Sequence, residues 1–268
     1  MTKPLAERSI ASDSSYLTVA RIGGTLLAIA HGWRDSPEAW QWVIASLQGR
    51  EAASPLNILA VRRRAGDLGS LDSALLLEAY AAQVVDAVET SASRLERVVL
   101  IGQSMGGPVA ELAATKLGRR VAGLVLINPS PLAGCALPDE VVDTFENLCA
   151  QNAIHAAAAR TGFAFRATEE LKTRYRIATP EESQISCLES FHAWHGGHPA
   201  GDTLSGMTAP TMLVCSDDTL FPEAMLRAKV ATRFASIEIV KIARAGHDPH
   251  IETPKPLADA IATFIGKL

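Results

Sequence analysis

Apolar residues along this chain fall largely in short unbroken runs, and the stretches between those runs carry helical spacing. "TLLAIA", "LNILAV", "RVVLIG", "VAGLVLI" and "TMLVCS" are apolar over nearly their whole length, and "SIEIVKI" follows as a further strand. A strand with no polar face is buried on both sides, which is the pattern of a parallel sheet covered by helices. The intervening spacing predicts helices over Leu75–Val88, Pro108–Leu117, Glu223–Phe234 and Pro256–Ile265. Another starts at "SPE", with Ser36 as N-cap and Pro37 in the first turn. Near the start, "YLTVARI" and "TLLAIA" flank Gly23-Gly24, which predicts a hairpin.

One stretch breaks the alternation. From about Pro131 to Gly206 no strong strand occurs, only helical runs such as "DEVVDTFENLCAQNAIHAAAA" and "PEESQISCLESFHAWH". Joints rich in proline and glycine bound it. The expectation is an α/β core formed by residues 1–131 and 206–268, with a helical insertion, 132–205, over one end of the sheet.

With 268 residues, 48% of them hydrophobic, the chain has ample material for one core. A net charge of −4 gives no electrostatic case for nucleic acid or an anionic membrane as partner. The first residues, "MTKPLAERSIASDSSYL", lack the apolar centre of a signal peptide. The apolar runs are strand-sized, far short of a membrane span. Cys135, Cys149, Cys187 and Cys215 show no CxxC spacing and read as reduced thiols in a cytoplasmic protein.

The chemistry gathers where strands end. In "LIGQSMGGPVA" a strand stops at Gly102 and a helix begins just after Ser104. A serine on so sharp a corner needs tiny neighbours, which Gly102 and Gly106 supply, and its hydroxyl then stands at the positive end of the helix. This G-x-S-x-G pattern is the nucleophile elbow. A serine is a weak nucleophile until a histidine takes its proton, and the histidine needs a carboxylate to orient it. "LVCSDDTLFP" offers Asp217 or Asp218 after a late strand, and "ARAGHDPHIETP" offers His247 after the last one. The order serine, aspartate, histidine fits one scaffold in particular. A tetrahedral intermediate also needs two N–H donors. In the elbow arrangement one is Met105 and the other lies in the loop "HGW", at Trp33.

These landmarks, "HGW" at 31–33, "GQSMGG" at 102–107, "SDDTLFP" at 216–222 and "GHDPHIETP" at 246–254, resemble those of the α/β-hydrolase fold superfamily, in its small capped branch of esterases and haloperoxidase-like proteins. The resemblance spans nearly the whole chain. It implies a mostly parallel sheet of seven or eight strands, with Ser104 as nucleophile and His247 as base. It also makes Asp218 the acid, because the family's aspartate usually stands four positions before a proline, here Pro222. Relatives that use an aspartate nucleophile, the haloalkane dehalogenases and epoxide hydrolases, are excluded by Ser104. Carbon–carbon bond hydrolases typically carry tryptophan after the histidine, where this chain has Asp248-Pro249.

Two departures stand out. "AVRRRAGDLGS" places Arg62, Arg63 and Arg64 where many relatives have an acidic start, and the run reads as a solvated basic loop; in a sharper reading one arginine meets a substrate carboxylate. The usual glycine before the acid loop is Cys215. In the insertion, His192, His195 and His198 are spaced by three, but Gly196-Gly197 breaks a helix there and no carboxylate sits at ligand spacing. They read as a mouth-lining or surface cluster, with no metal. Phe163, Phe191 and Trp194 are candidate walls of an apolar pocket. The functional expectation is a cofactor-free serine hydrolase of small esters or lactones. Alternatives with the same triad are amide or carbon–carbon cleavage, perhydrolysis, or a weakly hydrolytic ligand receptor.

Overall fold

A computed structural model describes residues 16–19, 25–49, 57–64, 72–91 and 97–268. The parallel sheet proper has six strands rather than seven or eight: β2 (Thr25–Ala30), β3 (Asn57–Val61), β4 (Arg97–Gln103), β5 (Val121–Ile127), β6 (Thr211–Ser216) and β7 (Glu238–Ile242). A further strand, β1 (Tyr16–Val19), joins its edge antiparallel, giving the order β1-β3-β2-β4-β5-β6-β7. The hairpin expectation fails here. β2 is hydrogen-bonded on one side to β3 and on the other to β4, so no edge is left for β1, which pairs with β3 instead. Gly23-Gly24 lies outside the described residues.

Helices cover both faces, and the alternation along β2 shows how. Leu26, Ala28 and Ala30 point into one core, with Leu77, Tyr80 and Val84 of α2 (Ser73–Ser91) and Val109 and Ala113 of α3 (Gly106–Leu117). Leu27 and Ile29 point into the other, with Val43 and Leu47 of α1 (Gln41–Gln48) and Leu257 and Ile261 of α10 (Pro254–Ile265). Period two along a strand sends neighbours to opposite faces, and here both faces are apolar. α8 (Glu223–Lys229) and the short α9 (Pro249–Glu252) complete the late part of the chain.

Between β5 and β6 lie four helices: α4 (Asp139–Cys149), α5 (Ala153–Arg160), α6 (Glu169–Ala178) and α7 (Gln184–Gly196). α6 is absent from the sequence expectation. Ser36 stands at the N-cap of the turn Pro37–Trp40 as expected, but its hydroxyl donates to the Ala178 carbonyl at 2.9 Å rather than capping that turn, and so ties α6 to the core. Among the described residues no helix is long and apolar enough to cross a membrane.

The strand order carries a consequence for function. From β2 the chain steps to β3 on one side and then to β4 on the other. Such a reversal opens a crevice at the carboxyl ends of the two strands, where ligands bind in open α/β sheets. Ala30 of β2 and Gly102 of β4 are register partners, so the residues that follow each strand meet at that crevice.

Candidate active site

Ser104 sits at the corner between β4 and α3 with φ of +51°, a left-handed conformation that costs a side-chain-bearing residue about 1–3 kcal/mol. The backbone is bolted in place on both sides. Its N–H donates to the Ile127 carbonyl (3.0 Å), and its carbonyl accepts from Gly107 N–H (2.9 Å) and Ser130 N–H (3.1 Å). Glycine is required next to it for lack of room. A Cβ on Gly102 would run into the Gly106 carbonyl, and one on Gly106 would run into the Ala30 carbonyl.

His247 follows β7, and its main chain is pinned as firmly. Its N–H donates to the Phe163 carbonyl (3.0 Å), while its carbonyl accepts from Gln103 Nε2 and Asn128 Nδ2, both at 3.1 Å. The imidazole then bridges two groups: Nε2 lies 2.9 Å from Ser104 Oγ, and Nδ1 lies 2.7 Å from Asp218 Oδ2. A carboxylate only accepts, so Nδ1 carries the proton and Nε2 is the acceptor for the serine hydroxyl. Asp218 is buried at the end of β6, and its other oxygen accepts from Leu220 N–H at 2.8 Å. Burial alone would lower the His247 pKa, but the Asp218 charge and hydrogen bond outweigh it, so the net shift is upward from 6.5. Burial likewise opposes ionisation of Asp218, yet the facing His247 holds its pKa below the ordinary 3.8.

Asp217 points elsewhere. Its side chain is partly exposed, accepts from Arg244 N–H (2.7 Å) and pairs with Lys241 Nζ (3.0 Å).

The pocket beside Ser104 is narrow, about 30 Å³ of free volume, room for roughly two waters. Trp33, Phe145, Phe163, Trp194 and Phe221 form an aromatic wall, and Gln103, Arg160 and Asp248 a polar one. Phe191, expected at this wall, does not reach it. It is fully buried one layer behind, stacked on Phe145 at 5.4 Å between ring centres and edge-on to Trp194 at 5.2 Å. The main-chain N–H groups of Trp33 and Met105 have no hydrogen-bond partner among the described residues. The Trp33 indole donates to the Cys187 carbonyl of α7 (3.1 Å), which holds its loop.

Two other sequence readings change. The arginine run is not simply solvated: Arg62 meets Glu38 at the surface, but Arg63 is nearly buried, pairing with Glu182 at 3.4 Å and donating to the Gly32 carbonyl at 3.3 Å. None of the three arginines lines the pocket at Ser104. The three histidines of α7 and its end face different partners: His192 meets Glu146, His198 meets Glu78, each at 3.3 Å, and His195 stacks on Phe191. Among the described residues no cluster of ligating side chains could hold a metal.

A buried polar network that sequence reasoning missed lies behind the pocket. Arg160, at the end of α5, reaches Asp35 (3.2 Å) and Asp248 (3.3 Å), and His250 Nε2 lies 3.1 Å from the other oxygen of Asp35. Burial opposes the charge on Asp35, but Arg160 and His250 overcome it and hold its pKa at about 2. A single arginine closing the run "HAAAAR" was the only local hint.

Residues 27–260 match the model of the alpha/beta hydrolase family, and the chain belongs to that family. It is similar to the pimeloyl-[acyl-carrier protein] methyl ester esterase of Aeromonas hydrophila, with 24% identity covering 93% of this chain and 99% of that one. In structure it resembles an esterase from Exiguobacterium antarcticum, with TM-score 0.78, 16% identity and 94% of each chain covered. It also resembles a bromoperoxidase from Bacillus anthracis, with TM-score 0.72, 19% identity and the same coverage. The fold is thus that of the α/β hydrolases, and an esterase-type hydrolase is the class these relatives support.

Proposed function

We propose that this protein is a serine hydrolase that cleaves a small carboxylic ester or lactone through an acyl-enzyme. The observation that carries the reading is the unbroken hydrogen-bond chain from Ser104 Oγ through His247 to Asp218, opening onto a pocket. Ser104 Oγ attacks the carbonyl carbon as His247 Nε2 takes its proton, and the carbonyl oxygen gains the negative charge. The Trp33 and Met105 N–H groups hold that oxyanion. Collapse expels the alcohol, which receives the proton from His247. A water then repeats the sequence on the acyl-serine, releasing the acid and restoring Ser104, so no cofactor is needed.

Residues 132–205 act in this reading as a cap, since Phe145, Arg160, Phe163 and Trp194 of the pocket wall all come from that segment. The small free volume suits a short acyl group. A serine-directed phosphonate should form one adduct, placed on Ser104 by mass spectrometry, and a screen over esters, lactones and amides of graded length should find turnover greatest among small esters or lactones. Label scattered over other serines would sink the reading.

The base must be neutral to accept a proton, and its pKa is raised. Activity should therefore rise with pH through a midpoint above 6.5 in the acid limb of kcat/KM. A midpoint at or below that value would contradict the coupling to Asp218.

A further inference from the structure

Two charged groups line the pocket without any part in acyl transfer: Arg160 and Asp248. The η donors of Arg160 are committed. Nη1 donates to the Arg34 carbonyl (2.9 Å) and Thr179 Oγ1 (3.1 Å), and Nη2 to Asp35 Oδ1 (3.2 Å) and Asp248 Oδ2 (3.3 Å). The face of the guanidinium lies over the Tyr175 ring, 5.3 Å from its centre. Asp248 is 3% exposed, and its other oxygen accepts from Gln103 Nε2 at 3.1 Å. Asp35 and Asp248 share the one guanidinium, with His250 also facing Asp35, so the polar wall has no positive group left over for a third carboxylate. The remaining wall is aromatic. A ligand carboxylate entering here would find no free η nitrogen on Arg160, and it would face Asp248 across a space that holds little water.

We infer that this pocket selects neutral acyl groups and turns away acyl groups that carry a carboxylate, with Asp248 as the specificity-determining residue. The inference rests on the ester-hydrolase reading above and names its substrate class. Like charges in a desolvated site repel far more than in water, which sets the expected preference at about tenfold or more.

The test uses two methyl esters of matched shape, methyl 4-oxopentanoate and monomethyl butanedioate, and reads kcat/KM for each. The wild-type protein should prefer the neutral ester by at least about tenfold. Asp248→Asn should narrow the ratio by at least about threefold and Arg160→Gln should widen it, because they change the local charge in opposite directions. A purely structural role for these residues would lower both rates together and leave the ratio fixed, which would overturn the assignment. Equal or better turnover of the acidic ester by the wild type would overturn the inference while leaving the hydrolase reading intact. Turnover of neither ester would overturn this inference, while the phosphonate label on Ser104 decides the hydrolase reading separately. Should Asp248→Asn fail to fold, the wild-type ratio and Arg160→Gln still decide the matter.

Discussion

Replacing Ser104 by alanine should lower kcat by about 10⁴–10⁶ while leaving circular dichroism and thermal unfolding close to wild type. The size follows from what is lost. Among the described residues Ser104 carries the hydroxyl on His247 Nε2, so in the proposed mechanism its loss removes covalent catalysis and leaves only binding and oxyanion stabilisation. The fold should survive because the contacts that hold the corner are main-chain ones, from Ser104 to Ile127, Gly107 and Ser130. Alanine carries the same strained φ with one atom fewer. Activity within about tenfold of wild type would mean that another group performs the attack.

The second large effect separates two adjacent carboxylates. Asp218→Asn should reduce kcat by at least about a hundredfold, the full loss of tautomer control being worth about 10⁴ in chymotrypsin-like proteases. Asparagine fills the same space, but its amide can donate to Nδ1, and the imidazole then carries its proton on the nitrogen that faces Ser104. Asp217→Asn should cost less than about tenfold. Asp217 cannot rescue its neighbour, because it is turned toward Lys241 and the Arg244 N–H on the far side of the strand end. Steady-state kcat for both variants decides the matter, and the reverse ranking would move the acid to Asp217.

The parts of this molecule that could be read from its sequence are those whose signal is local. The doubly apolar strands announce a parallel sheet, and the glycines beside Ser104 announce a corner with no space for a Cβ. The chemistry of this fold collects at the carboxyl ends of strands, so short stretches there carried most of the candidate site. Features decided by distant partners stayed hidden. The pairing of β1 with β3 depends on β2 being occupied on both sides, which no hairpin-like spacing reveals. Helix α6 is polar enough that only Leu171, Tyr175 and Ala178 are buried, although its N-cap, Thr168 accepting from Leu171 N–H at 3.2 Å, was a legible sign. Phe191 looked like a pocket wall because hydrophobicity says that a ring is buried but not which layer it occupies. The meeting of Arg160 with Asp35 spans 125 positions, and nothing near either residue forecasts it.

The loop that carries Trp33 is wired into the inserted helices. Arg34, in a left-handed conformation with φ of +51°, sends its guanidinium to the carbonyls of Leu148 (2.5 Å) and Gln151 (3.0 Å) at the end of α4, and toward Glu182 at 3.4 Å. Arg160 returns the link by donating to the Arg34 carbonyl. The roof and the floor are therefore not interchangeable modules. Grafting another relative's helices onto this core would leave the Arg34 guanidinium and the Asp35 and Asp248 carboxylates, all on the core side, without their partners, and breaking a buried pair in this way costs about 3–5 kcal/mol. A lineage carrying this arrangement can explore new substrates by altering the rings that point into the pocket. It cannot readily do so by exchanging the whole segment, and recombination within the family should respect that seam.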